Sequence, residues 1–144
     1  MSNMSSSLKF FLNLNVVQSI SSKRFDTKLH SHGISLNDFL ILYHISQEPE
    51  EKLRRTDLAE KIGLTASGVT RILSPLEKQG LIKKEINSRD ARVSYVKLSP
   101  AGKRVLNDAI ATAEATAEHF LPEAKAKKTE EFVKCLNDLG GTIL

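Results

Sequence analysis

RRTDLAEKIGLTASGVTRILSPLEKQGLI, residues 54–82, decides how the rest of the chain is read. Two short amphipathic segments flank Gly63, a residue type that turns the backbone through a left-handed conformation at little steric cost. Thr56 stands at the N-cap position of a helix over 57–62, with Asp57 in its first turn. Thr65 stands likewise before a second helix running to about Gln79, and Gly80 follows it as the C′ residue. Two short helices joined by a tight glycine-containing turn are a helix-turn-helix candidate. Leu58, Ile62, Leu64, Val69, Ile72, Leu73 and Leu76 recur at helical spacing and form the inward set. Pro75 removes one intrahelical hydrogen bond and predicts a kink. The outward face near the second helix's start is Ala66, Ser67, Gly68, Thr70 and Arg71. Small and hydrogen-bonding side chains with one arginine suit close approach to base edges, and they equally describe an ordinary exposed helix surface.

Downstream, LIKKEI (81–86) and VSYVKL (93–98) read as two strands, with Val96 and Leu98 inward and Lys97 outward. Between them lies NSRDAR (87–92), a turn in which Arg89 and Arg92 bracket Asp90. A carboxylate there can hold Arg92 in a bidentate contact and restrain a long flexible stem. The plainer alternative is a solvated hairpin tip with a weak surface ion pair. Ser99 and Pro100 then open an Ala-rich helix that Pro122 stops, Ser99 as N-cap and Pro100 at the first helical position. Residues 122–128 form a basic connector, and Thr129 caps a last helix with Glu130 and Glu131 in its first turn. Phe132, Leu136, Leu139 and Ile143 fall on one stripe.

Upstream, residues 1–7 are polar and expected to fray. Residues 8–30 form a helix without Pro or Gly. Its apolar residues, among them Phe11, Leu14, Val17 and Ile20, spread around most of the circumference. A surface helix of a small domain shows one stripe, so this helix calls for cover on more than one side, which a second subunit supplies. Gly33 ends it. Ser35 caps the next helix with Asp38 at N3, a capping-box variant, and Leu36, Phe39, Leu40 and Tyr43 fit its period. Pro49 and its acidic neighbours mark a loop.

The totals narrow the class. The chain has 144 residues, 40% of them apolar, enough for one domain or one domain with a dimerisation arm. No apolar run is long enough for a transmembrane helix, and the first residues lack a basic start and a small-residue cleavage site. One cysteine, Cys135, excludes an internal disulfide and a Cys-based zinc cage. A reducing cytoplasm fits these features. Residues 52–104 carry 13 Lys/Arg against 5 Asp/Glu, while the remainder carries 8 against 12. Basic charge concentrated in one third of the chain suits a polyanionic partner or a solvated basic face. No Gly-rich phosphate loop, nucleophile elbow or metal-ligand set is legible, so neither an enzyme nor a cofactor is expected. His30, His32, His44 and His119 lack a carboxylate or Cys cluster to complete a metal site.

The order of elements, with Arg89-Asp90-Ala91-Arg92, Leu98-Ser99-Pro100-Ala101-Gly102, Thr70-Arg71 and Leu76-Glu77-x-x-Gly80-Leu81, resembles the MarR family of transcription regulators over nearly the whole chain. Departures are small: serine replaces the common threonine at Ser99, and Pro75 stands where many relatives have a charge. The resemblance implies a mainly α fold with a small β-hairpin wing. Residues 34–98 would form the winged helix-turn-helix, and residues 8–32 and 99–144 a helical dimerisation region. It implies a homodimeric, sequence-specific regulator, most often a repressor, on double-stranded DNA with a pseudo-palindromic operator. A small aromatic or anionic ligand would modulate DNA affinity, and no membrane is involved. Ala66, Ser67, Gly68, Thr70 and Arg71 would then face the major groove and Arg89, Asp90 and Arg92 the minor groove. Arg54, Arg55, Lys83 and Lys84 are candidates for the DNA backbone. Two alternatives stay open: a winged-helix protein-contact module without an operator, and a thiol-responsive regulator acting through Cys135, expected as a buried or interfacial thiol.

Overall fold

The computed structural model describes residues 3–144. In chain order the elements are α1 (Ser6–Leu29), α2 (Leu36–Ser46), β1 (Lys52–Arg54), α3 (Arg55–Ile62), α4 (Ala66–Lys78), β2 (Ile82–Ile86), β3 (Ser94–Leu98), α5 (Pro100–Phe120) and α6 (Ala126–Asp138). Short 3-10 turns precede β1 and α6 and follow α1.

The helix starts have local causes. Ser35 and Asp38 complete a reciprocal capping box: Asp38 N–H donates to Ser35 Oγ at 3.1 Å and Ser35 N–H to Asp38 Oδ2 at 2.9 Å. Thr65 Oγ1 accepts from Gly68 N–H at 3.1 Å at the start of α4. Ser99 Oγ accepts from Gly102 N–H at 3.0 Å at the start of α5. Between α3 and α4, Gly63 adopts φ 68°, the left-handed turn that folds one helix back on the other.

One hydrophobic core joins all the elements except α6. Leu58 from α3, Leu73 and Leu76 from α4, Val96 from β3, Ile41 and Leu42 from α2, and Leu106 and Ala109 from α5 are all buried in it, together with Leu29 of α1. Leu98-Ser99-x-x-Gly102 and Gly80-Leu81, widely separated in sequence, meet here. Ser99 Oγ donates to the Gly80 carbonyl, and Ser99 N–H donates to Leu81 O at 3.0 Å. A Cβ on Gly102 would lie 2.0 Å from the same Leu81 oxygen, so only glycine lets α5 start this close to the end of α4.

Several expectations require correction. The wing belongs to a three-stranded antiparallel sheet of order β1-β3-β2, not to a hairpin alone. Leu53 of β1 and Lys84 of β2 both pair with Val96 of β3. Residue 56 is not a cap: α3 starts at Arg55, with Arg54 in the N-cap position and no side-chain cap bond. Thr129 is not a cap either, because α6 starts at Ala126, and the Thr129 hydroxyl donates back to Lys125 O at 3.1 Å from inside the helix. Glu130 and Glu131 therefore lie beyond its first turn, and Ile143 lies past its end. Helix α1 begins at Ser6, capped by Ser5, where fraying was expected; Met1 and Ser2 lie outside the described residues. Leu64 is 41% exposed, since it occupies the turn and not the inward face. In α2 the deepest residues are Ile41, Leu42 and Ile45, while Leu36, Phe39 and Tyr43 are only partly buried against the core. The expected run of α4 to about Gln79 holds, with the helix continuing through Pro75 to Lys78.

Candidate nucleic-acid interface

Helix α4 is the most amphipathic face of the basic segment. Val69, Leu73 and Leu76 are buried, and Ala66, Ser67, Thr70 and Arg71 are exposed along its first two turns. Gly68 differs from its neighbours. It is half-buried, its N–H is held by Thr65, and a Cβ there would come within 3.3 Å of Thr65 Oγ1. Its smallness serves the cap. Ser67 Oγ lies 3.2 Å from Thr65 Oγ1. Thr70 Oγ1 donates to Ala66 O at 3.0 Å and accepts from Arg55 Nη2 at 2.9 Å, so its hydroxyl is held on two sides.

The turn 87–92 is ordered by its own polar groups. Asn87 Oδ1 accepts from Arg89 N–H at 2.8 Å, and Val93 N–H donates to Asp90 O at 3.0 Å. Asp90 pairs with Arg92. Arg92 Nε donates to Asp90 Oδ1 at 3.1 Å, Nη2 donates to Oδ2 at 3.3 Å, and the Arg92 N–H donates to Oδ1 at 3.0 Å. The Arg92 guanidinium and N–H hold the Asp90 carboxyl below its ordinary pKa. Arg92 is nonetheless 91% exposed, so the fork is fixed at one edge and open to solvent elsewhere.

Three elements converge on one notch of about 250 Å³. It is lined by Arg54 and Arg55 at the β1–α3 junction, Ala66, Val69 and Thr70 of α4, and Arg92, Val93 and Ser94 at the wing root. The folded chain thus brings together members of all three predicted groups: helix face, wing and backbone candidates. Ser67, Arg71 and Arg89 lie outside the notch on exposed surface, as do Lys83 and Lys84 on β2. Three guanidinium groups around a concave site at a helix start can take phosphate oxygens by charge-assisted hydrogen bonds. Sequence reasoning missed the Arg55–Thr70 bond and the buried Ser94 hydroxyl, which has no hydrogen-bond partner.

Away from this face, an open cavity of about 810 Å³ lies between α1 and α5, lined in part by Arg24, Lys28, Thr112, Thr116 and His119. Arg24 sits 5.3 Å from the centre of the Phe120 ring, which stacks on Phe25. The histidines are dispersed: His32 Nε2 is 2.8 Å from Thr112 Oγ1 and His44 Nε2 is 3.3 Å from Thr142 Oγ1. Burial, then the charge of Lys61, lowers the pKa of His44. Cys135 is exposed rather than buried, on an apolar groove with Phe10, Leu14, Val17, Phe132 and Leu136. Among the described residues no helix is long and apolar enough to cross a membrane.

Comparison with known proteins finds relatives of the same fold. Residues 32–93 match the family model described as the MarR family. The HTH-type transcriptional repressor YetL of Bacillus subtilis (strain 168) is 26% identical over 137 residues, covering 92% of this chain and 80% of YetL. The transcriptional regulator BldR of Sulfolobus solfataricus superposes with a TM-score of 0.84 at 26% identity, over 96% of this chain and 97% of BldR. Sco3205, a MarR-family regulator of Streptomyces coelicolor solved in complex with DNA, shares the fold with a TM-score of 0.77 at 17% identity. That match covers 96% of this chain and 91% of Sco3205. These relatives are regulators, not enzymes.

Proposed function

We propose that the chain, whose residues 32–93 match the MarR family model, is a regulator of that family: homodimeric, sequence-specific on DNA and acting as a repressor. In this reading residues 34–98 form the DNA-binding unit, and residues 8–32 and 99–144 the dimerisation region. Ala66, Ser67, Thr70 and Arg71 face the major groove, with Gly68 keeping the helix start compact. Arg92 enters the minor groove, where a guanidinium reads width and negative potential more than base identity. Asp90 restrains it, and Arg89, Arg54, Arg55, Lys83 and Lys84 supply phosphate contacts. The observation that carries this reading is the single notch at which Arg54, Arg55, Ala66, Thr70 and Arg92 meet. A scatter of solvated charges has no reason to converge across three elements.

The homodimer is supported by α1. Leu8, Phe11, Leu12, Val16, Val17 and Ile20 are all exposed in the single chain, as are Phe132, Leu136 and Leu139 near its end. Apolar surface of this extent is a contact surface in a folded protein, and a second copy supplies a matching one. Two copies present two recognition helices, so the operator is a pseudo-palindrome with half-sites about 10 bp apart. Selection of bound duplexes from a random pool tests this. Enrichment of such a motif supports the reading, and binding that depends steeply on salt but enriches no motif would leave only non-specific attraction.

Modulation by a small aromatic or anionic ligand is favoured by the α1–α5 cavity, where Arg24 and Lys28 stand among Thr27, Thr112, Thr116 and His119. An anion there would bias the dimer toward a geometry whose helices no longer match the half-sites. Benzoate titration should raise the melting temperature of the wild type and not of Arg24→Ala; equal shifts in both would remove the cavity from the account.

A further inference from the structure

We propose that Arg55 is a positioning residue for base recognition: it fixes Thr70 so that this position reads DNA through its methyl group, favouring thymine at the facing base pair. This rests on the reading of α4 as the recognition helix. Arg55 is the first residue of α3, and it reaches Thr70, 15 positions later, only because the Gly63 turn lays the two helices together. A hydroxyl has one proton and two lone pairs. The Thr70 proton goes to Ala66 O at 3.0 Å, and one lone pair takes Arg55 Nη2 at 2.9 Å. Donation to a base acceptor would cost the Ala66 bond. The methyl carries no such commitment. In the major groove the thymine C5-methyl is the apolar partner for threonine methyl and alanine side chains. Ala66, exposed one turn earlier, adds a second methyl beside it.

Arg55 is needed because threonine in a helix divides between two rotamers, whereas valine keeps essentially one. Holding the hydroxyl from the α3 side selects one of the two. The remaining Arg55 N–H groups still face the notch shared with Arg54 and Arg92, so a phosphate contact and the positioning role coexist. A pure phosphate contact, however, weakens binding to all sequences alike.

Duplex selection with the wild type and four variants, each verified as folded by circular dichroism, separates the cases. The wild type should enrich thymine at one position of each half-site. Thr70→Val should keep that preference, and Thr70→Ser should lose it by about fourfold, the factor corresponding to one buried methyl-sized group. Arg55→Ala should relax the preference at that position alone, and adding Thr70→Val to Arg55→Ala should restore it. The inference is overturned if Thr70→Ser keeps the preference and Thr70→Val loses it, for then the hydroxyl reads the base. It is also overturned if Arg55→Ala lowers affinity uniformly with base preferences intact. A wild type that enriches no motif overturns the DNA-recognition reading itself, a result distinct from either.

Discussion

Asp90 and Arg92 show how a two-residue spacing becomes a device. The carboxylate accepts two guanidinium N–H groups and one backbone N–H from the same arginine, so the tip's own residues organise it. Arg92→Ala should weaken operator binding more than tenfold in a salt-matched gel shift while the protein stays folded. Asp90→Ala should weaken it less, because the guanidinium survives but wanders. Since the folded pKa of Asp90 is depressed, the pairing is complete above the ordinary carboxylate value of 3.8 and is lost only as pH falls through the lowered one. Amide and side-chain NMR signals of Arg92 should therefore hold steady down to about pH 4. His44 gives a pH signal of the same sign in a higher range, caused by burial where Asp90's is caused by pairing. Buried and with a lowered pKa, it binds its proton more readily in the unfolded chain. Stability should be greatest above pH 6.5 and fall as pH drops below it, until the folded-state pKa is passed. Thermal melts from pH 8 to pH 5 should show this slope for the wild type and a shallower one for His44→Gln. The Asp90 pair was legible from sequence because both partners are local. The Arg55–Thr70 bond was not, since it exists only once two helices have packed.

At the level of elements, the capping serines and threonines that were followed by a closable N–H were legible: Ser35, Thr65 and Ser99 each accept the expected bond. Thr56 and Thr129 fail because chain geometry, not side-chain chemistry, sets those starts. Strand β1 leads directly into α3 at Arg55, and the 3-10 turn 123–125 feeds α6 at Ala126. Strand β1 itself was invisible for two reasons. It has three residues, too few for a period. It also follows Glu50 and Glu51, two non-glycine residues at φ 59° and 52°, a conformation no local preference predicts. Lys103, 52 positions on, holds Glu51 at 3.1 Å, and the neighbouring Lys52 reaches Glu50 at 3.5 Å, so one tertiary and one local partner support the turn. The match between Gly80-Leu81 and Leu98-Ser99-x-x-Gly102 has a physical meaning that the separate motifs do not disclose: it welds the start of α5 to the end of α4. Gly102→Ala should cost about 3 kcal/mol of stability, the upper end of ordinary overpacking, measured by urea unfolding. Leu64→Ala, at the exposed turn, should stay within about 0.5 kcal/mol of wild type.

For the whole molecule, one core unites the helix-turn-helix and the sheet with α5 and the end of α1, and leaves the apolar faces of the first half of α1 and of α6 uncovered. The all-round apolar pattern of α1 was legible as a demand for a partner; its physical counterpart is Val17 and Ile20 at 55% and 57% exposure in the single chain. Val17→Glu should shift sedimentation toward monomer and reduce operator affinity far more than non-specific binding, because half-site spacing exists only in the dimer. The chain's end also returns to α3, where the Thr142 hydroxyl donates to Lys61 O at 2.8 Å beside His44. A tie between the last residues and α3 was beyond any periodicity, since it spans 81 positions. The central claim, two recognition helices held at a fixed separation by one dimer, is tested most directly by hydroxyl-radical footprinting on a selected duplex with binding stoichiometry measured alongside. The account predicts two protected half-sites about 10 bp apart, bound by two chains with matching midpoints. A single protected half-site filled by one chain, or uniform protection along the duplex, would contradict it.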